Sequence, residues 1–367
     1  MQKKVITLAV AAALVAPAVA MADVTVYGKA DIAFGTTSNG IVSTTQVASQ
    51  VTKIGLKGSE DLGDGLNAIW QIEQQVDIDD STRAGAKNTL ATRNSFVGLK
   101  SDNMGTVLMG RHDTPYKLAT RKLDVFADQI ADSRHLMGGG TGLNRGGYMD
   151  MRPGDALMYQ SPNLSGFEFA ALYSAGAETA TLATNIKGSL WSLSGSYKQG
   201  AFYGAIAHQK VAYGTAGTGT FAPAGLLAAN DSLKASKAGV GYAVTDALKL
   251  NVVYEKITSS IGGAGLNTLG RSNWHLGGEY SMGNDAIKLA YTRAGDTNSV
   301  ANTGAKMIGV GYDHNLSKRT ALYAQYNKLS NDSAASYGFG SSATTATVAG
   351  VLGQNISGFM VGMKHAF

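Results

Sequence analysis

From residue 24 onward, apolar and polar positions alternate with period two. Val24, Val26, Gly28, Ala30, Ile32 and Phe34 share one face of an extended chain, and Thr25, Tyr27, Lys29 and Asp31 share the other. The same split sets Leu248, Leu250, Val252 and Tyr254 against Lys249, Asn251 and Glu255, and Trp274, Leu276, Tyr280 and Met282 against Asn273, His275, Glu279 and Ser281. The last segment sets Phe359, Val361, Met363 and Phe367 against Gly362 and Lys364. About sixteen such strands are expected. They lie near 24–35, 51–60, 66–77, 92–101, 105–112, 155–161, 166–174, 187–199, 201–213, 234–245, 247–258, 272–282, 285–294, 305–315, 319–330 and 355–367.

Short connections such as Leu62-Gly63-Asp64-Gly65 and Gly283-Asn284-Asp285 alternate with long ones near 36–50, 78–91, 113–153, 175–186, 214–233, 259–271, 295–304 and 331–354. Most strands have about the ~9–11 residues that a tilted transmembrane strand needs. A sheet can cross lipid only if it closes, because an open edge would leave backbone groups unpaired. An even strand count with short turns at one end and long loops at the other is the pattern of bacterial outer-membrane barrels. The fold expected is all-β: a 16-stranded antiparallel transmembrane barrel with short periplasmic turns and long outer loops. Phe34, Tyr173, Tyr197, Tyr254, Tyr280, Tyr291 and Phe367, near strand ends, fit interfacial aromatic girdles. With ~16 strands the lumen is too wide for side chains to fill and holds an aqueous channel.

Residues 1–22 read as a secretory signal peptide. Lys3 and Lys4 precede the apolar stretch Val5–Val15, and Ala20-Met21-Ala22 offers a small–x–small cleavage site. The single barrel then occupies 23–367. Loss of Lys3 and Lys4 takes the formal charge from +5 to +3, too mild to argue for nucleic acid. The 47 Gly and 5 Pro among 367 residues suit many tight turns and few broken ladders. With 0 Cys there is no disulfide framework, thiolate catalysis or Cys-ligated metal.

Several blocks resemble a known family. Asp23-Val24-Thr25-Val26-Tyr27-Gly28-Lys29 is similar to the first mature strand of Gram-negative general porins. Lys53 to Leu66 (KIGLKGSEDLGDGL) resembles that family's second strand, turn and third-strand start. Phe96-Val97-Gly98-Leu99, Gly110-Arg111, Tyr159-Gln160-Ser161-Pro162 and the ending Gly362-Met363-Lys364-His365-Ala366-Phe367 are similar too. The resemblance implies a homotrimeric, 16-stranded pore in the outer membrane, in contact with its lipid and lipopolysaccharide. It also implies that Phe367 serves as the C-terminal signal to the barrel-assembly machinery. Its third outer loop, here 113–153, would fold into the lumen and constrict it. Where the family often has a Pro-Glu-Phe-Gly-Gly-like loop tip, this chain has Gly138-Gly139-Gly140-Thr141-Gly142.

Ion selectivity comes from charge at the narrowest point, where low-dielectric walls focus the field. The candidate cations are Lys29, Lys53, Arg93 and Arg111 on the wall, with Arg152 beside the loop; the resemblance implies a basic ladder there. On the loop, Asp124, Asp128 and Asp132 recur every four residues, the spacing of one face of a short helix, and would form the acidic side of a transverse field. The competing reading is a salt-bridged loop. The six histidines lack metal-ligand spacing, and Asp77, Asp79 and Asp80 lack the Gly and Glu that close a calcium loop. No metal, cofactor or catalytic group is expected. The function expected is passive diffusion of ions and small hydrophilic solutes, with a substrate-selective channel of the same fold as the alternative.

Overall fold

The computed structural model describes residues 23–79, 90–138, 149–175, 188–212, 232–260, 270–298, 300–339 and 345–367. Residues 1–22, the tip of the 113–153 loop and most of the long connections near 78–91, 175–186, 214–233 and 259–271 lie outside the described residues.

Seventeen strand segments form one antiparallel sheet: β1 Asp23–Ser38, β2 Ser43–Ser49, β3 Lys53–Gly63, β4 Leu66–Gln75, β5 Ser95–Ser101, β6 Gly105–Arg111, β7 Ala156–Gln160, β8 Phe167–Ser174 and β9 Ser189–Gln199. They continue as β10 Phe202–Ala212, β11 Ser232–Ala243, β12 Leu248–Ser259, β13 Arg271–Met282, β14 Asp285–Ala294, β15 Ala305–Asn315, β16 Thr320–Asn331 and β17 Ile356–Ala366. β2 and β3 are two halves of one barrel strand. β2 pairs with the second half of β1 (Ile32↔Ser49 to Ser38↔Ser43) and β3 with the first half (Asp23↔Ser59 to Lys29↔Lys53). At the break, the Thr52 hydroxyl donates to the Asp31 carbonyl and accepts from the Asp31 amide. The barrel therefore has sixteen strands.

The other edge of β1 pairs with β17 from Lys29↔Ala366 to Ser38↔Ser357, which closes the sheet. Phe367 completes the seam: its amide donates to the Gly28 carbonyl at 3.1 Å, and the Gly28 amide donates to its carbonyl at 3.0 Å. A side chain on Gly28 would meet the Phe367 ring at 2.3 Å, so the seam needs glycine there. The Gly63-Asp64-Gly65 turn between β3 and β4 places all three residues at positive φ, which two glycines make tolerable.

One expectation is overturned here. Residues 36–50 are not a long connection: β1 runs to Ser38 and β2 returns from Ser43, leaving a turn of four residues. The polar run Ser-Thr-Thr-Gln hides a strand because its stabilising contacts are cross-strand, as in the Thr36–Thr45 hydroxyl pair at 3.1 Å.

The alternation settles which face is which. Val26, Phe34, Ile54, Leu56, Val97 and Leu193 point outward and are exposed, as are their counterparts around the barrel. Such a band of apolar surface is what lipid covers. Aromatic rings pair on this outer face, Tyr173 with Trp191 at 4.4 Å and Tyr254 with Trp274 at 4.5 Å between centroids. Among the described residues no helix is long and apolar enough to cross a membrane; the strands do so.

Candidate functional site

The site is the lumen, bounded by the inward positions of the strands and by the chain that enters between β6 and β7. That chain starts as a short helix, α1 (Pro115–Arg121). Thr114 caps it by accepting from the Lys117 amide, and Pro115 opens its first turn. Thr followed by Pro is a helix-start pattern that could have marked this element from the sequence.

Helix α1 lies against β8, β9, β10 and β11. The Tyr116 amide donates to Ser192 Oγ at 2.9 Å, and Tyr203 Oη donates to the Ala119 carbonyl at 2.7 Å. Tyr116 and Ala119 share a buried cluster with inward residues of β6 to β12, including Leu108, Met158, Leu172, Leu190 and Ile257. The chain then follows the inner wall. Phe126 packs with Ala290 of β14, Ile130 with Ala33, Ala48, Tyr323 and Met360, and Leu136 with Ala294, Met307 and Leu329. A hydrophobic core thus lies inside the barrel, under the segment 113–138.

Polar latches fix the same segment. Glu255 is fully buried; it accepts from Tyr116 Oη at 2.5 Å, Asn273 Nδ2 at 2.7 Å and the Gly138 amide at 2.9 Å. Asn327 Nδ2 donates to the Ile130 carbonyl at 2.5 Å, and Lys237 pairs with Asp150 at 2.7 Å.

Asp124, Asp128 and Asp132 do not form one face of a helix. Residues 122–132 are turns, and Asp128 sits at φ 67°. The carboxylates converge instead on two guanidiniums. Arg121 reaches Asp128 at 2.7 Å, Asp132 at 2.8 Å and Asp124 at 3.7 Å, while Arg134 reaches Asp128 and Asp132 at 2.7 Å each. Burial opposes charge on Asp128 and Asp132, but Arg121 and Arg134 outweigh it and hold both carboxyls well below the usual carboxylate range. Asp124 accepts from the Phe126 and Ser133 amides, and so shapes the turn. Like-charge spacing suggested a helix, but a helical face would have kept the three carboxylates side by side with no cation between them. The turns bring cations to them.

The basic candidates lie on another arc of the wall. Lys29 and Lys53 are direct cross-strand partners. Lys29 pairs with Asp31 at 2.7 Å. Lys53 and Arg93 share Glu73, at 2.8 and 2.6 Å, and Tyr27 Oη donates to the same carboxylate at 3.0 Å. Arg152 and Lys117 share Asp113, at 3.0 and 2.7 Å. Arg111 donates to the Arg152 carbonyl at 3.3 Å and stays exposed.

Sequence reasoning passed over Glu73, Asp113 as a shared anion, and a further trio. Asp313 is shared by Lys288 at 2.6 Å and Lys364 at 2.7 Å. Period two sets Asp313 and Lys364 on the polar faces of their strands, but it does not single out Glu73, whose strand alternates less cleanly, or Asp113, which lies in the connection. Which carboxylate meets which amine depends on register between strands far apart in sequence. Among the described residues, the arc from β14 through β17 and β1 to β6 brings Lys288, Lys364, Lys29, Lys53, Arg93 and Arg111 together with Asp313, Asp31 and Glu73. Six cations and three carboxylates give a net +3 for these named groups. Arg152 and Lys117 meet Asp113 where the loop joins the wall. Among the described residues no cluster of His and carboxylates of metal-binding form is present.

The profile of the family described as Gram-negative porin matches residues 8–334, most of the chain. The chain belongs to that family. It is 28% identical over 401 residues to the major outer membrane protein P.IB of Neisseria sicca, and 29% identical over 395 residues to outer membrane porin protein 32 of Delftia acidovorans; both comparisons cover 100% of each chain. Among solved structures, the anion-selective porin from Comamonas acidovorans superimposes with a TM-score of 0.76 at 23% identity, over 94% of this chain and 100% of that one. This porin is therefore an outer-membrane channel with the family's closed barrel. The relatives are channels, not enzymes.

Proposed function

We propose that this porin is a passive, water-filled diffusion channel, narrowed by the 113–153 segment, that favours small anions over cations. The observation that carries the reading is the sharing of Glu73, Asp113 and Asp313 by two cations each. Every such trio keeps one positive charge, two of them on the lumen wall and the third where the loop joins it. Solutes move down their gradients, and the protein supplies only a hydrated path and a field. In a low-dielectric wall that field raises the local concentration of anions. The name of the Comamonas structure, an anion-selective porin, agrees with this sign. The loop's own cluster, two guanidiniums against three carboxylates, holds the loop and carries a net −1, against the +3 of the named groups on the arc. A substrate-selective channel is the second reading, and the polar hollow of about 340 Å³ between α1 and β8–β10, with Lys122 and Glu168 in its lining, favours it.

We place residues 1–22 as the export signal and 23–367 as the barrel. A homotrimer is supported by the apolar exterior of β1, β3 and β5 (Val24, Val26, Ile54, Leu56, Val97 and Leu99), which suits contact with a second copy. Contact with lipopolysaccharide is supported by exposed cations on the outward register of the opposite strands: Lys210, Lys234, Lys256, Arg293, Lys306 and Lys328. The closing pairing of Phe367 supports its role in delivery to the assembly machinery.

The test is single-channel conductance of the purified protein in planar bilayers. Conductance proportional to bulk salt, closing in three steps, is expected. Silence from folded, heat-modifiable protein would contradict an open pore. Saturation of the current by one small solute at low concentration would favour the substrate-selective reading.

A further inference from the structure

Glycines stand at inward positions of the wall where the loop crosses it. On β15 the inward register reads Met307, Gly309, Gly311, Asp313, and the Phe126 ring lies against the two glycines. A Cβ on Gly311 would stand 2.6 Å from Phe126 Cε1, and one on Gly309 would stand 2.7 Å from the Ala131 Cβ and 3.2 Å from Phe126 Cε2. On β11, Gly239 and Gly241 receive Leu123 in the same way, at 2.5 and 2.7 Å from its two methyls. On β17, Gly358 faces Ile130 Cδ1 at 3.2 Å. None of these glycines has positive φ, so backbone conformation does not demand them. What demands them is space for a side chain from the loop.

We infer that these inward glycines are seats that set the position of the 113–138 segment within the lumen, and that Gly309 and Gly311 with Phe126 form the decisive one. This deepens the reading of the segment as the constriction. The Phe126 seat is rigid where the Leu123 seat is not. A leucine methyl can turn away from an added Cβ, but the Phe126 ring is buried between the wall and Ala131, with its own amide held by Asp124. The seat also adjoins the basic arc. Gly311 is the cross-strand partner of Lys288, and Asp313, which joins Lys288 to Lys364, is two residues along the same strand. Lifting Phe126 off β15 therefore moves the loop with respect to those charges. The glycines act through the loop and are positioning residues for selectivity.

The experiment compares Gly311→Ala, Phe126→Leu and the double variant in planar bilayers. For each protein, oligomer retention and heat-modifiability report folding, and single-channel conductance and reversal potential report the pore. Gly311→Ala pushes the ring into the lumen, so conductance falls and the reversal potential shifts. Phe126→Leu removes the rigid edge, so in the double variant both readouts return toward the parent values. Phe126→Ala, which introduces no clash, unseats the loop and gives larger, noisier openings, so the claim stays testable if Gly311→Ala fails to fold. A parent-like reversal potential and conductance for both Gly311→Ala and Phe126→Ala would overturn the seat. So would a Gly311→Ala shift left unrepaired in the double variant, since general damage to β15 would then explain it. If the parent protein shows bulk-like conductance through a wide bore, the constriction itself is wrong, and that outcome is separate from failure of the seat.

Discussion

Two regions of the lumen use charge in opposite ways. On the arc from β14 through β1 to β6, the named cations outnumber the carboxylates, and Glu73 and Asp313 are each shared by two of them. In the loop, three carboxylates close on Arg121 and Arg134, and burial of Asp132 is complete. Formal charge counted along the sequence treats the regions alike. Part of the difference lies in accessibility. Lys29, Lys53 and Lys364 keep 27%, 27% and 28% of their side-chain surface free, against 18% for Arg121 and 6% for Arg134. Arg93 and Lys288 on the arc are covered to a similar degree as the clamp. In the proposed reading the first arc sets a field that a passing ion meets, and the second is a clamp that folds a segment of chain.

Breaking the clamp gives the largest expected effect. Arg134→Gln leaves Asp128 and Asp132 short of a partner in a buried place, a change worth about 3–5 kcal/mol for a buried pair. The loop then leaves its seat, and conductance rises with noisy gating while the barrel stays heat-modifiable. Quiet, parent-like channels would show the cluster to be decoration.

Charge reversal on the open arc comes next. Lys53→Glu places a second carboxylate beside Glu73 and leaves Arg93 as their shared cation, so the reversal potential moves toward cations. The same substitution on the outer surface, Lys234→Glu, leaves it unchanged, because the wall and a screening length of about 10 Å at 0.1 M salt separate that residue from the path. Equal shifts from both would remove the distinction between lumen and exterior.

The latch gives a smaller effect. Glu255→Gln keeps the shape but weakens charge-assisted hydrogen bonds to Tyr116, Asn273 and Gly138, bonds of about 1.5–3 kcal/mol each in their charged form. More frequent brief closures at high voltage are expected, measured as open-channel noise.

The smallest effect is that of mild acid. The folded-state pKa values of Asp128 and Asp132 are depressed below their unfolded value of about 3.9. Their contribution is therefore complete above that value and is lost as pH falls through the lower, folded pKa. Loop-dependent noise stays flat from pH 7 to about 4 and rises only below that. A midpoint near pH 5 would place these carboxylates in ordinary solvent.

The sequence made the barrel legible because period two repeats around its whole circumference. Each inward cation among Lys29, Lys53 and Arg93 was readable from its neighbours on one strand. Their partners were not: Lys53 and Arg93 meet Glu73 from β3 and from the chain before β5, so register and closure decide the contact. The helix expected over 124–132 failed because the flanking Arg121 and Arg134 draw the three aspartates into turns, while α1 formed upstream at Thr114-Pro115. The seats at Gly309 and Gly311 read in sequence as small inward residues. Their use depends on a ring that arrives from nearly two hundred residues away.

The measurement that bears most directly on the central claim is the reversal potential of the unmodified protein under a potassium chloride gradient, repeated with Lys53→Gln and Arg93→Gln together. A net-positive arc predicts an anion-preferring potential that moves toward zero in the double variant. A cation-preferring potential, or one indifferent to losing both charges, would contradict the account.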